Sequence, residues 1–192
     1  MEEKRSLIVG LGNPGMRYTD TRHNFGFMVL KAFADKIGIS FKTESKFSGS
    51  LAKAKLGDLD LFLLLPTTYM NLSGEAVKKA LSFFKILPQN MLVVCDDADI
   101  PFETLRLRAE GGSGGHNGLK SITEKLTSSS YPRLRMGIGK PTLGELESYV
   151  LERFSKEEEA QLPNICGRAI EIVTCWATEG MVKAQEKLVA LS

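Results

Sequence analysis

Histidine and tryptophan are scarce in this chain, which has two of the first and one of the second in 192 residues. With only His23 and His116 and three cysteines (Cys95, Cys166, Cys175) that form no close pair, the residues argue against a zinc site. The odd cysteine count argues against a disulfide framework and for a reducing, cytoplasmic compartment. No apolar run approaches the roughly 20 residues needed to cross a bilayer, so no membrane partner is expected. The opening MEEKRSLIVGLG has a short apolar core and two acids, and does not read as a secretory signal. Internal repeats and low-complexity linkers are missing too. So is the G-x-S-x-G elbow of a serine hydrolase, and a cysteine nucleophile would fall to Cys95, whose apolar neighbours mark it as a small buried hydrophobe.

What is present is the composition of a single globular domain spanning residues 1–192, 43% apolar and 25% charged. The net charge of +2 conceals an uneven distribution. Residues 104–140 carry seven Lys/Arg against two acids, whereas residues 141–192 carry five against nine. A basic middle on a nearly neutral protein fits a local anionic partner, although solvated charges clustered by chance give the same numbers.

Apolar runs place strands over Leu7–Leu11, Leu59–Leu65 and Met91–Cys95, with a weaker candidate over Ser50–Leu56. Helical spacing runs from Asn24 to Ile37 with Gly38 as a stop, and from Ser73, as cap, to about Ile86. Leu105–Arg108 and Arg133–Met136 alternate apolar and basic residues, so each arginine pair shares one strand face. Asn117 reads as the cap of a helix over 118–126. Thr142 to Glu145 and Ser155 to Glu158 fit capping boxes, and Gly180 interrupts a helical C-terminus. The fold expected is α/β, a single layered domain with a mixed, largely parallel twisted sheet flanked by helices. The helices beyond about 142 pack on the same core. The Leu105 strand follows its predecessor too closely for a helical crossover, which requires an antiparallel element.

The stretch GLGNPGMRYTDTRHN, Gly10 to Asn24, contains G-x-G-x-x-G after a strand. A dinucleotide loop would lead straight into a helix, but Pro14-Gly15 makes a turn and no acid closes a second strand. An oxidoreductase reading therefore rests on the glycines alone. His23 stands at a loop-to-helix boundary among polar side chains, where an imidazole can serve as a general base if a second group fixes its tautomer. Asp96, at a strand end, can supply that group, and on spacing alone it can equally be a turn or capping acid. By elimination, a hydrolase here activates water directly, with the carboxamides of Asn13, Asn71 and Asn117 binding a polar, uncharged substrate.

Taken together, GLGNPG with TRHN, PTTYMNLSG, DDADIP, GGSGGHNGLKS and RLRMGIGKP resemble bacterial peptidyl-tRNA hydrolase, in that family's order and spacing from Leu7 to Pro141. The resemblance implies an enzyme that cleaves the ester between a peptide and the 3′ end of tRNA, metal-independent, without cofactor, and monomeric. His23 matches the base that activates water, and Asp96 the acid that orients it. Asn13, Met70, Asn71 and Asn117 match the peptide-end contacts, with Tyr18 and Tyr69 beside them and His116 in the adjoining glycine loop. Arg108 and Arg133 match the residues that hold the tRNA 5′ phosphate. Glu103 occupies a turn where the family commonly has glycine. A non-catalytic RNA-binding relative is the rival reading, and the presence of both His23 and Asp96 weighs against it.

Overall fold

The computed structural model describes residues 3–192. Strand β1 (Lys4–Gly10) leads through a turn to helix α1 (Phe25–Ile37), followed by β2 (Lys42–Glu44), β3 (Gly49–Leu56) and β4 (Leu59–Pro66). Then come α2 (Ser73–Phe84), β5 (Met91–Asp97), β6 (Leu105–Arg108), α3 (Asn117–Leu126) and β7 (Arg133–Gly137). Helices α4 (Leu146–Val150), α5 (Lys156–Glu179) and α6 (Met181–Ala190) complete the chain. The seven strands form one sheet in the order β2-β3-β4-β1-β5-β7-β6. β4, β1, β5 and β7 run parallel, while β3 and β6 pair antiparallel with β4 and β7. The mixed, helix-flanked sheet is the one the strand spacing requires.

Period-two alternation divides the strands between two cores. Ile8, Leu61, Leu63, Leu92 and Val94 face α1 and α5, where Phe25, Leu30, Phe33, Ile172 and Trp176 cover them. Leu7, Val9, Phe62, Leu64, Val93 and Cys95 face α2 and α3, against Val77, Leu81, Leu119 and Ile122. Burial on both faces explains why the central strands are continuous apolar runs rather than alternating ones. Each fully buried Leu or Phe contributes about 1.5–3 kcal/mol relative to exposure. The helices beyond 142 join the first of these cores through Ile165, Ile170, Val173 and Trp176.

Helix ends follow the local chemistry with a few exceptions. Gly38 closes α1 in the left-handed region (φ 72°), Ser155 and Glu158 make a reciprocal capping box, and Gly180 separates α5 from α6. Ser73 does not cap α2; its hydroxyl donates to the Met70 carbonyl one turn earlier. Thr142 and Glu145 form no box, and α4 begins after Glu145 without a side-chain cap. The short β2, too polar to show in the sequence, is fixed only by pairing with β3. Glu103 sits at φ 70°, the conformation for which glycine would be the easier residue.

β1 and β5 are neighbours whose outgoing connections diverge, so their carboxyl ends open a crevice. α1 crosses that crevice closely because Gly26 has no side chain. A Cβ there would strike the Val94 carbonyl oxygen and the Leu11 nitrogen, and one at Gly10 would strike the Gly26 carbonyl. Gly26→Ala should therefore lower stability by about 1–3 kcal/mol. A fall in the urea midpoint at unchanged slope would register this, and an unchanged midpoint would contradict the close approach.

Candidate active site

Asp96 ends β5 on the α1 side of the sheet, the face it shares with Leu92 and Val94. It is buried, and its carboxylate lies 3.0 Å from His23 Nδ1 through both oxygens. Burial by itself would raise the Asp96 pKa, but the charges of His23 and His116 and their hydrogen bonds outweigh it and hold the carboxyl well below its usual range. For His23, burial pulls the pKa down, whereas the Asp96 charge and hydrogen bond push it up, and the net result is a raised value. A carboxylate only accepts, so Nδ1 of His23 carries a proton and Nε2 is left as the basic nitrogen.

The turn that carries His23 is pinned from two sides. Asn24 accepts from the Asn13 backbone N–H at 2.8 Å and donates to the Asn13 carbonyl at 3.0 Å, so this carboxamide is structural. Asn13 in turn accepts from the Met70 N–H through its side-chain oxygen at 2.8 Å. On the other side Arg22 is buried, pairs with Glu158 at 2.9 Å and stacks over Tyr149 at 4.1 Å, tying the turn to the C-terminal helices. Sequence reasoning passed over Arg22, whose partners lie more than a hundred residues away. After Gly15 (φ 104°) the chain makes two single 3-10 turns before α1, so the glycine motif presents no helix N-terminus and the dinucleotide reading is overturned.

The remaining candidates surround this pair unevenly. His116 precedes α3 and lies 3.0 Å from Asp96 Oδ1, its ring centroid 4.9 Å from that of His23. It, not Asn117, caps the helix, which leaves the exposed Asn117 carboxamide free at the mouth of the site. His23, Asp96, His116 and Asn117 line a cavity of about 360 Å³, closed by the glycine loop and α4. Asn71 is exposed, Met70 is buried, and Tyr18 and Tyr69 meet edge to face at 6.5 Å. The donor atoms of His23, Asp96 and His116 fall within 4.8 Å of one another, so a metal ion would find three ligands there. Each imidazole would first have to surrender its hydrogen bond to Asp96.

The four arginines of β6 and β7 stand opposite one another in register, Arg106 beside Arg135 and Arg108 beside Arg133. Arg133, which the resemblance matches to a phosphate-holding residue, does not lie at the surface. It is fully buried, and its guanidinium donates to the carbonyls of Tyr131, Gly112 and Ser129 while stacking on the Tyr131 ring. Arg135 spans Asp97 at 3.1 Å and the Gly112 carbonyl at 2.6 Å, so both arginines hold the base of the glycine loop. Arg106 and Arg108 are exposed, and among the described residues neither has an ion-pair or hydrogen-bond partner. Arg133→Ala should cost about 2 kcal/mol or more, because a fully buried guanidinium and its hydrogen bonds to three carbonyls are lost. Arg108→Ala should leave the thermal midpoint within the range of a surface change. Equal midpoints for the two variants would refute this division.

Known proteins place the geometry. The family model described as peptidyl-tRNA hydrolase matches residues 7–191. Among curated relatives, the peptidyl-tRNA hydrolase of Desulfitobacterium hafniense is 45% identical over 179 residues, 93% of this chain and 96% of its own. That of Cytophaga hutchinsonii is 47% identical over 179 residues, 93% of this chain and 94% of its own. The crystal structure of peptidyl-tRNA hydrolase from Acinetobacter baumannii superposes with a TM-score of 0.90 at 36% identity, covering 98% of this chain and 96% of that one. A matching sequence profile, near-full-length identity and a shared backbone agree: this chain belongs to the peptidyl-tRNA hydrolase family of enzymes.

Proposed function

We propose that this enzyme hydrolyses the ester joining a peptide to the 3′ end of tRNA, returning stranded tRNA to translation, by a water that His23 activates. The observation that carries the mechanism is the 3.0 Å contact between His23 Nδ1 and buried Asp96, which leaves Nε2 unprotonated toward the substrate side. Nε2 takes a proton from water as the water oxygen attacks the ester carbonyl. The tetrahedral intermediate then expels the ribose oxygen, which recovers that proton from the His23 imidazolium. The products are the tRNA hydroxyl and the peptide's carboxylic acid, which releases its proton to water. The Asn117 carboxamide, free of hydrogen bonds within the described residues and on the same cavity as His23, is placed to donate to the developing oxyanion. Asn71 and the remaining amide N–H groups of Asn13 suit the peptide backbone without selecting side chains. The free thiols of Cys95, Cys166 and Cys175 accord with work in the cytoplasm.

The tRNA phosphates fall to the β6 edge. Like charges opposite one another in a sheet are destabilising, and the arginines of β6 and β7 are so arranged. An anion laid across Arg106 and Arg108 removes that repulsion through bidentate bonds that read no base. Burial counts against direct contact by Arg133, and the partly exposed Arg135, opposite Arg106, takes its place.

Incubating EDTA-treated protein with N-blocked aminoacyl-tRNA and scoring free tRNA tests the reaction, the substrate and metal independence together. His23→Ala should lower turnover about 10²–10⁴-fold while tRNA binding persists; undiminished turnover would remove His23 from the chemistry.

The base must be neutral, and the His23 pKa is raised, so kcat/KM should fall as pH drops through a value above about 6.5. Asp96→Asn should move that acid limb to lower pH as well as reduce kcat. A limb that stays in place would refute the pairing. Replacing both Arg106 and Arg108 by Ala should flatten the salt dependence of kcat/KM for full tRNA by about 0.7–0.9 for each phosphate no longer neutralised, and leave a short ester mimic unaffected. Equal effects on both substrates would rule out phosphate binding at this edge.

A further inference from the structure

We infer that His116 is a positioning residue whose tautomer is fixed by the N-terminus of α3, and that through Asp96 it sets the basicity and orientation of His23. The inference rests on His23 being the base, and it begins from the two faces of one imidazole. Nδ1 of His116 faces the backbone N–H groups of Gly118 at 3.1 Å and Leu119 at 3.4 Å, the second and third residues of the helix. Those groups can only donate, so Nδ1 must be a bare acceptor. Nε2 of the same ring lies 3.0 Å from Asp96 Oδ1, an atom that can only accept, so Nε2 must carry the proton. Neither a ring flip nor the other tautomer satisfies both partners. A protonated ring would set an N–H against two more.

The ring has little room to leave this arrangement. Its side chain is 8% exposed, and a Cβ at Gly118 would come within 3.0 Å of its Cε1 and 2.6 Å of Met70 Sδ. The backbone of Gly118 thus lies directly beneath the imidazole. Asp96 Oδ1 consequently receives one N–H from His116 and one from His23, the first from the start of α3 and the second from the turn before α1, helices that pack on opposite faces of the sheet. The bond from His116 withdraws part of the negative charge that Asp96 offers to His23. It also leaves the carboxylate a single orientation in which Nδ1–H of His23 is held and Nε2 is aimed outward. Since His116 is anchored on the cap of α3, the glycine loop must be seated for the pair to be aligned.

Two variants separate this role from simple packing. Asn at a helix N-cap accepts from the same N–H groups but is too short to reach Asp96, so His116→Asn keeps the cap and deletes the donor. It should hold the thermal midpoint close to wild type and lower kcat about tenfold at nearly constant KM. With Asp96 no longer shared, the acid limb of kcat/KM should move to higher pH, opposite to the shift of Asp96→Asn. The other charged groups at the cavity, Asp97, Asp99, Arg135, Glu145 and Glu147, are common to both proteins. His116→Ala should lower stability as well, since it removes the cap.

Imidazole ¹⁵N NMR of the wild-type protein at neutral pH reads the tautomer without reference to activity, and should show His116 protonated at Nε2 only. A proton on Nδ1 of His116 would overturn the inference, as would a kcat and acid limb unmoved in His116→Asn. If His23→Ala retained turnover, the catalytic reading would fail while the tautomer measurement still stood or fell alone.

Discussion

A carboxylate buried at the end of a parallel strand cannot remain charged without donors, and the site depends on how Asp96 meets that demand. Isolating such an ion from water costs several kcal/mol even after relaxation. Here two imidazoles supply the compensation, each at 3.0 Å, and among the described residues no lysine or arginine bonds to the carboxylate. Histidines offset the charge without saturating the site with a fixed cation. One of them can therefore still exchange a proton with its outer nitrogen. An arginine in the same place would hold Asp96 ionised equally well and would carry no base.

The sheet exists around this point in a specific way. Glycines at 10 and 26 let α1 descend onto β1 and β5, which brings the turn before α1 down to the level of the Asp96 carboxyl. Asn24 locks that turn to Asn13, Asn13 holds the Met70 backbone, and Arg22 fastens its other side to α4 and α5. The C-terminal helices thus hold the His23 turn in place. Arg133 and Arg135 play the corresponding part on the far side, holding the base of the glycine loop over the strand ends through the Gly112 carbonyl. Exposed charge and structural charge are divided along one strand pair: Arg106 and Arg108 face solvent, while Arg133 is spent inside.

Much of this is legible in the order of residues. The apolar runs locate the central strands, and the close spacing of Cys95 and Leu105, with no room for a helix, calls for a mixed sheet, in which β6 pairs antiparallel with β7. His23 and Asp96 stood out since each lies where a strand or loop hands over to the next element. Propensity favours asparagine as the cap of α3, yet His116 takes that place, and nothing in a sequence reveals that an imidazole's second nitrogen is already engaged. The burial of Arg133 is hidden from the sequence for a related reason. Alternation along a strand says which residues share a face, and not whether a loop will later cover that face.

The sequence by itself determined the order of strands and helices, the two-sided burial of the central sheet, and the presence of one candidate base with one candidate acid. Those follow from periodicity and residue chemistry, which act over a few positions. Tertiary structure alone decided that Asp96 is shared by two histidines, that Arg22 clamps the turn carrying His23, and that Arg133 is interior while Arg108 is free. Each of these depends on which groups, far apart in the chain, exclude water from one another, and desolvation is a property of the assembled surface rather than of any stretch within it.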